Sequence, residues 1–203
     1  MLETFLTTLT TLTDPMAIVS TLGLIGVLAI IFAESGLFFG FFLPGDSLLF
    51  TAGFLASQGL LNIWWLSIGA MAAAIVGDSV GYWFGKKVGP RIFTREDSLF
   101  FHKKHVEKTR TFYQVHGKKT LILARFIPVI RTFAPILAGV GQMEYKTFLT
   151  YNIVGGILWG GGLTWGGYLL GSIIPNVDQY LWPIIFLIIF VSFIPVFKHL
   201  FTK

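Results

Sequence analysis

Two arginines and two prolines interrupt one of the most apolar stretches of this chain. Arg125 and Arg131 lie six residues apart across Pro128, and Pro135 follows four residues later. A guanidinium keeps its proton at physiological pH, so its burial costs several kcal/mol unless an anion or water receives it. A proline-broken backbone inside apolar surroundings survives only against protein or a wet cavity. The segment therefore predicts a buried site, and an anion such as phosphate is the ligand that two arginines favour.

Two acidic residues in another apolar stretch could complement these arginines. Glu34 and Asp46 are twelve residues apart, and Pro44-Gly45 directly precedes the second of them. On an unbroken helix Arg125 and Arg131 would point about 120° apart. A break between the arginines lets both face one cavity, so we expect the two carboxylates to lie opposite both of them.

These charged residues admit a structural and a functional interpretation. Glu34 and Asp46 could be fixed counter-ions that hold two segments together around the arginines. Alternatively, the arginines bind a substrate anion, and a desolvated carboxylate exchanges protons. Asp78, in a third apolar run beside Gly77 and Gly81, is either a polar contact between helices or a proton relay.

The composition predicts an all-α polytopic membrane protein. Of the 203 residues, 54% are hydrophobic and 12% are charged, with a mean hydropathy of +0.75. Soluble domains carry about twice that share of charge. Cysteine is absent, which excludes thiolate metal sites and disulfides. We expect no signal peptide, metal, cofactor or nucleic-acid partner and, because no nucleophile with a base stands out, no enzymatic activity.

We predict a single membrane domain over residues 1–203. Proline-glycine within apolar sequence is a turn signal, and its flanking pieces are too short to cross a bilayer. The pattern therefore predicts an interfacial helix over 1–15, re-entrant hairpins over 34–60 and 120–142, a basic segment over 86–119 containing a helix near 97–115, and spans at 16–33, 62–85, 145–171 and within 180–203. The second hairpin is expected to be broken at both Pro128 and Pro135.

The basic segment 86–119 predicts the orientation of the chain. It holds ten of the fifteen lysines and arginines, which places it in the cytoplasm by the positive-inside rule. The C-terminus then also lies inside. The two hairpins would enter from opposite faces of the membrane.

A weak internal repeat agrees with these opposite orientations. Ala52-Gly53 recurs as Ala138-Gly139, and Gly81-Tyr82 recurs as Gly167-Tyr168, both at an offset of 86 residues. This pattern predicts an inverted-topology repeat, as in many secondary transporters. Glycines that recur four residues apart in the spans are expected to let the hairpins pack closely.

The paired motifs resemble the bacterial DedA membrane-protein family. They are Glu34-Ser35-Gly36, Phe42-Leu43-Pro44-Gly45-Asp46-Ser47-Leu48-Leu49 and Arg125-Phe126-Ile127-Pro128-Val129-Ile130-Arg131-Thr132. The resemblance covers roughly residues 20–175, without departure at the acidic and arginine positions. It implies a relationship to VTT-domain lipid scramblases and residence in the bacterial cytoplasmic (inner) membrane. It also implies functional roles for Glu34, Asp46, Arg125 and Arg131.

The same resemblance implies transport of undecaprenyl phosphate or a related lipid phosphate. Arg125 and Arg131 would grip the phosphate, while Glu34 or Asp46 would couple transport to protons and the lipid tail would stay in the bilayer. A non-selective phospholipid scramblase, a proton-coupled transporter of a small soluble solute and a non-transporting assembly factor remain as alternatives. The oligomeric state is not predicted.

Overall fold

The computed structural model describes residues 15–37, 40, 43–93 and 120–173, and all regular structure within them is helical. The helices are α1 (Pro15–Gly36), α2 (Gly45–Ser57), α3 (Ile63–Phe93), α4 (Thr120–Ala124), α5 (Pro128–Val140), α6 (Tyr145–Gly156) and α7 (Gly162–Ile173). A π-helical turn, Ile157–Gly161, joins α6 to α7. Residues 1–14, the helix predicted near 97–115 and the C-terminal span within 180–203 lie outside the described residues.

Three helices are long and apolar enough to cross a membrane. They are α1 with 22 residues, Ile63–Val88 of α3 with 26 residues, and the continuous helix Tyr145–Ile173 with 29 residues. At 1.5 Å per residue each exceeds the roughly 30 Å of hydrocarbon in a bilayer. The prediction of an all-α membrane protein is confirmed. α3 continues past its predicted end at residue 85, so the basic segment begins within a helix.

The first of these helices contains a bend at a glycine. Gly23 has φ 58° and ψ −155°, a combination that joins two helical pieces and that side-chain-bearing residues rarely adopt. The bend separates the N-terminal turns of α1 from the turns that carry Glu34. The buried part of α1 packs with α2, α3 and Trp159 in one apolar cluster, while Tyr82 and Phe148 belong to a second.

Two 13-residue helices begin at prolines. α2 starts directly after Pro44, and α5 has Pro128 as its first residue. Proline suits the start of a helix because the missing N–H would have no intrahelical partner there. Each helix spans about 20 Å, which is shorter than a bilayer core.

The predicted break at Pro135 is wrong. α5 continues through this residue to Val140. A proline inside a helix removes one backbone hydrogen bond, here the one that would reach the carbonyl of Arg131. Tight packing of α5 against α3 supports the helix in spite of that loss.

The two short helices touch their neighbours backbone to backbone. A Cβ added at Gly53 of α2 would overlap the carbonyl oxygen of Thr164, and one at Gly139 of α5 would overlap that of Tyr82. The partner helices contribute matching glycines: Gly167 faces the Phe50 carbonyl and Gly85 faces the Ile136 carbonyl. α2 is thereby seated on α7, and α5 is seated on α3.

We expect Gly85→Ala to lower the melting temperature in detergent, because its methyl group would overlap the carbonyl of Ile136. A steric conflict of this kind costs about 1–3 kcal/mol. Gly81→Ala, one turn earlier on α3, is the matched control, since its methyl group would lie 3.5 Å from the Ile136 side chain. Intrinsic tryptophan fluorescence on heating measures both variants, and equal melting temperatures would contradict the close approach.

Candidate functional site

The five charged residues singled out by the sequence lie together in the interior. Glu34 and Arg131 are each 2% exposed, and Asp78 and Arg125 are each 3% exposed. Asp46 is partly buried. Glu34 and Asp78 lie close to the crossing of α1 and α3. At this crossing a Cβ on Gly36 would be 3.0 Å from the carbonyl oxygen of Gly77.

Arg131 binds two carboxylates from two other helices. Its Nη1 donates to Asp46 Oδ1 at 2.6 Å, and its Nη2 donates to Glu34 Oε1. These bonds join α1, α2 and α5 through one guanidinium. We call Arg131, Glu34 and Asp46 the Arg131 triad.

Gly45 leaves room for the carboxylate of Glu34 because it has no side chain. The second oxygen of Glu34, Oε2, lies against Gly45, and a Cβ there would overlap the carboxylate. The glycine therefore lets the start of α2 approach Glu34, in addition to following Pro44 in the connection.

Trp159, in the π-helical turn, completes the surroundings of the triad. Its indole Nε1 donates to Asp46 Oδ1 at 2.7 Å. The guanidinium carbon of Arg131 lies 4.4 Å from the centroid of the indole ring, which is a cation–π contact. Such π-helical turns are frequent at functional sites. The role of Trp159 was not predicted from the sequence, since no spacing distinguishes this residue within its glycine-dense span.

Arg125 forms a separate cluster with residues of α3 and α6. Its Nη2 donates to Asp78 Oδ2 and to Asn152 Oδ1. The Asn152 amide is itself oriented by donating to the carbonyl of Ile75 at 2.9 Å. Gly155 makes room for the arginine, because a Cβ there would lie 2.8 Å from Arg125 Cδ. Asn152 was also missed, since a lone amide in a span gives no signal of its partner.

The expectation that Glu34 and Asp46 face both arginines is therefore wrong. They contact Arg131, whereas Asp78 occupies the place beside Arg125. The physical reason is the helix break between Ala124 and Pro128, where the backbone forms turns and Arg125 lies outside α5, the helix that carries Arg131. The two clusters still form one electrostatic network, because Asp78 also interacts with Arg131.

The network holds more carboxyl groups than guanidiniums. Three carboxylates face two guanidiniums, so one negative charge is left over when every group is ionised. Uncompensated charge is expensive in surroundings of low dielectric constant. Binding of a proton or another cation would offset it. Among the described residues, no three histidine, cysteine or acidic side chains are grouped as metal ligands.

The fold and the site define an all-helical membrane protein with a buried arginine–carboxylate network. Residues 43–169 match the VTT domain, a range that includes every member of the network except Glu34. Protein DedA of Escherichia coli K12 is 46% identical over 168 residues, which cover 82% of this chain and 76% of that protein. The chain therefore belongs to the DedA family of VTT-domain membrane proteins.

Mycobacterial relatives extend the similarity. An uncharacterized membrane protein of Mycobacterium leprae is 49% identical over 168 residues, covering 83% of this chain and 75% of the relative. One from Mycobacterium tuberculosis H37Rv is 42% identical over 205 aligned positions, covering 96% of this chain and 88% of the relative. No solved structure matches the chain.

We expect Asp78→Asn to destabilise the protein strongly, because it leaves the Arg125 guanidinium buried without a carboxylate. Breaking one side of a buried ion pair costs about 3–5 kcal/mol. The double variant Asp78→Asn/Arg125→Gln removes both charges and should recover much of the loss. Melting curves in detergent compare the two, and a double variant no more stable than the single one would contradict the pairing.

Proposed function

We propose that this protein transports a lipid phosphate across the membrane, with its headgroup received by the buried arginine network. The observation that carries the proposal is the Arg131 triad, a permanently cationic group that is buried within a membrane protein and held by exchangeable carboxylates. Ionisable residues at such depth mark substrate or ion pathways. A phosphate monoester supplies the anion that a guanidinium binds best.

A lipid substrate fits the architecture because only its headgroup needs a polar path. The tail can remain in the bilayer beside the apolar outer faces of the helices. α2 and α5 are too short to cross, and we propose that each forms the return arm of a re-entrant hairpin, over 34–60 and 120–142. Broken helices of this kind are tolerated where they are buried in protein or line a cavity.

The packing of the short helices supports the proposed inverted repeat. Gly53 and Gly139 are related by the 86-residue offset, as are Phe50 and Ile136. Each short helix packs against the span of the other half, α2 on α7 and α5 on α3, through these residues. Two repeats of opposite orientation would interlock in this way and bring both hairpins to the middle of the membrane.

We further propose that the protein lies in the bacterial cytoplasmic membrane, with segment 86–119 and the C-terminus in the cytoplasm. This orientation follows from the clustering of lysine and arginine in that segment. The basic segment would then face the anionic headgroups of the cytoplasmic leaflet.

The excess carboxylate supports coupling to protons. A phosphate that enters the network adds negative charge to a site where carboxyl groups already outnumber guanidiniums. Protonation of Glu34 or Asp46 would offset the added charge, so the anion and the proton would be favoured to bind together. A passive scramblase needs no such linkage and is the main alternative.

The substrate proposed first is undecaprenyl phosphate, which the family resemblance implies. The test is transbilayer movement of this lipid in liposomes that contain the purified protein, with phosphatidylglycerol as the comparison lipid. We expect selective movement of the phosphate monoester. Equal movement of both lipids would indicate a non-selective scramblase, and movement of neither would contradict lipid transport by this chain alone.

We expect Arg131→Lys to reduce transport of undecaprenyl phosphate at least tenfold. Lysine keeps the charge but lacks the planar fork that bonds two carboxylates at once. Lys146→Ala is the control, since it removes a positive charge from an exposed position on α6 outside the network. Wild-type transport in Arg131→Lys would remove the guanidinium from the mechanism.

We expect a pH gradient to accelerate transport by the wild type and to have little effect on Glu34→Gln. Glutamine keeps the size of the side chain but cannot exchange a proton. The measurement is the initial rate with and without the gradient for both proteins. A rate that is indifferent to the gradient in the wild type would contradict proton coupling and favour passive movement.

A further inference from the structure

One carboxylate oxygen, Asp46 Oδ1, receives hydrogen bonds from two different side chains. Arg131 Nη1 lies 2.6 Å away and Trp159 Nε1 lies 2.7 Å away. The donors come from α5 and from the π-helical turn, so they converge from separate elements. Two N–H groups that converge on one oxygen position make a site for an anionic oxygen, whichever molecule supplies that oxygen.

The carboxylate that fills this position is the least buried one in the network. The Asp46 side chain is 18% exposed, against 2% for Glu34 and 5% for Asp78. Asp46 also lies in the first turn of α2, directly after Pro44-Gly45, so it is at the end of a helix and not in its interior. Glu34, by contrast, is pressed against Gly45.

We propose that Arg131 Nη1 and Trp159 Nε1 form the binding position for a terminal oxygen of a phosphate monoester, and that Asp46 occupies this position until the phosphate displaces it. The inference rests on the proposed transport of a lipid phosphate and identifies the donors of its site. It makes Asp46 the carboxylate that phosphate displaces, whereas Glu34 stays hydrogen-bonded to Arg131 and remains available to exchange a proton.

The indole of Trp159 has two roles in this arrangement. Its ring lies 4.4 Å from the guanidinium carbon and so limits the positions that the guanidinium can take. Its N–H supplies the second, neutral donor. The guanidinium is incompletely satisfied by carboxylates, since Arg131 Nε is buried and has no hydrogen-bond partner. An entering anion therefore meets a cation that still has donor capacity.

When phosphate replaces Asp46, the hydrogen bonding of the two donors, Arg131 Nη1 and Trp159 Nε1, changes little. An oxygen that carries negative charge replaces another one, so both donors keep an acceptor during occupancy. The displaced carboxylate needs water, a proton or another donor, which its exposed side can reach. Release of the phosphate is favoured when Asp46 returns to its position. The site would thus bind the anion firmly and still let it leave.

The test is binding of phosphate probes to the purified full chain in detergent, measured by isothermal titration calorimetry. The probes are inorganic phosphate, dihexanoyl phosphatidic acid as a phosphate monoester lipid, and dihexanoyl phosphatidylglycerol as a diester. Binding of the first two points to the phosphate group itself, whereas binding of phosphatidic acid alone points to a lipid headgroup. Equal binding of the diester would overturn recognition of the monoester.

Trp159→Phe keeps an aromatic face for Arg131 and removes the N–H donor. We expect its dissociation constant for phosphatidic acid to rise about tenfold, as for loss of a hydrogen bond to a charged group. Trp165→Phe is the matched control, because its indole donates to Ser67 Oγ at 3.1 Å and does not touch the network. Equal affinities of the two variants would overturn the role of Trp159.

The substitution Asp46→Ala removes the carboxylate that competes with phosphate. We expect the variant to bind phosphatidic acid about tenfold more tightly than the wild type. We also expect it to transport the lipid more slowly, because no carboxylate helps to release the phosphate. Weaker binding of phosphatidic acid by this variant would overturn the proposal that phosphate displaces Asp46. The measurement on Asp46→Ala tests the proposal even if Trp159→Phe fails to fold. Failure of lipid transport by the wild type in liposomes would instead count against the proposed function.

Discussion

The structure depends on the fact that a buried guanidinium cannot give up its charge. Arg131 projects from α5 toward α1, α2 and the π-helical turn, and each of these three elements contributes a group that makes its burial tolerable. A lysine could lose its proton in such a place, and a carboxylate could gain one. Arginine keeps its charge, so its surroundings must supply anions or other groups that accept its N–H bonds. The helices around Arg131 are arranged so that their side chains compensate its charge.

The close backbone contacts serve the same requirement. Ion pairs within about 3 Å demand that helices be held in place to a fraction of an ångström. Gly139 and Gly85 fix α5 against α3, and Gly53 and Gly167 fix α2 against α7. Because backbone meets backbone at these points, the positions of Asp46 and Arg131 do not depend on flexible side chains. Close packing of the helices and a buried ion pair with two carboxylates are therefore combined in one site.

Much of this organisation could be predicted from the sequence because its causes are local. Long apolar runs predicted the three spanning helices, and the cost of burying Arg125 and Arg131 predicted a site. The partners of Arg125 could not be predicted, since they depend on how helices cross. Nothing in the spacing shows that Asp78 meets Arg125, or that Asn152 and Trp159 complete the two clusters. The break predicted at Pro135 is absent because tertiary packing supports a helix that local rules would break.

The π-helical turn Ile157–Gly161 makes the chain sensitive to length at this place. Such a turn holds one residue more than an α-helical turn would, and each residue of an α-helix rotates the following side chains by about 100°. Loss of one residue here would convert the turn into regular helix and rotate α7 as a unit. Gly167 would then no longer face the carbonyl of Phe50, although every residue of the contact would still be present. Over this short stretch, the number of residues is as much a part of the site as their identity.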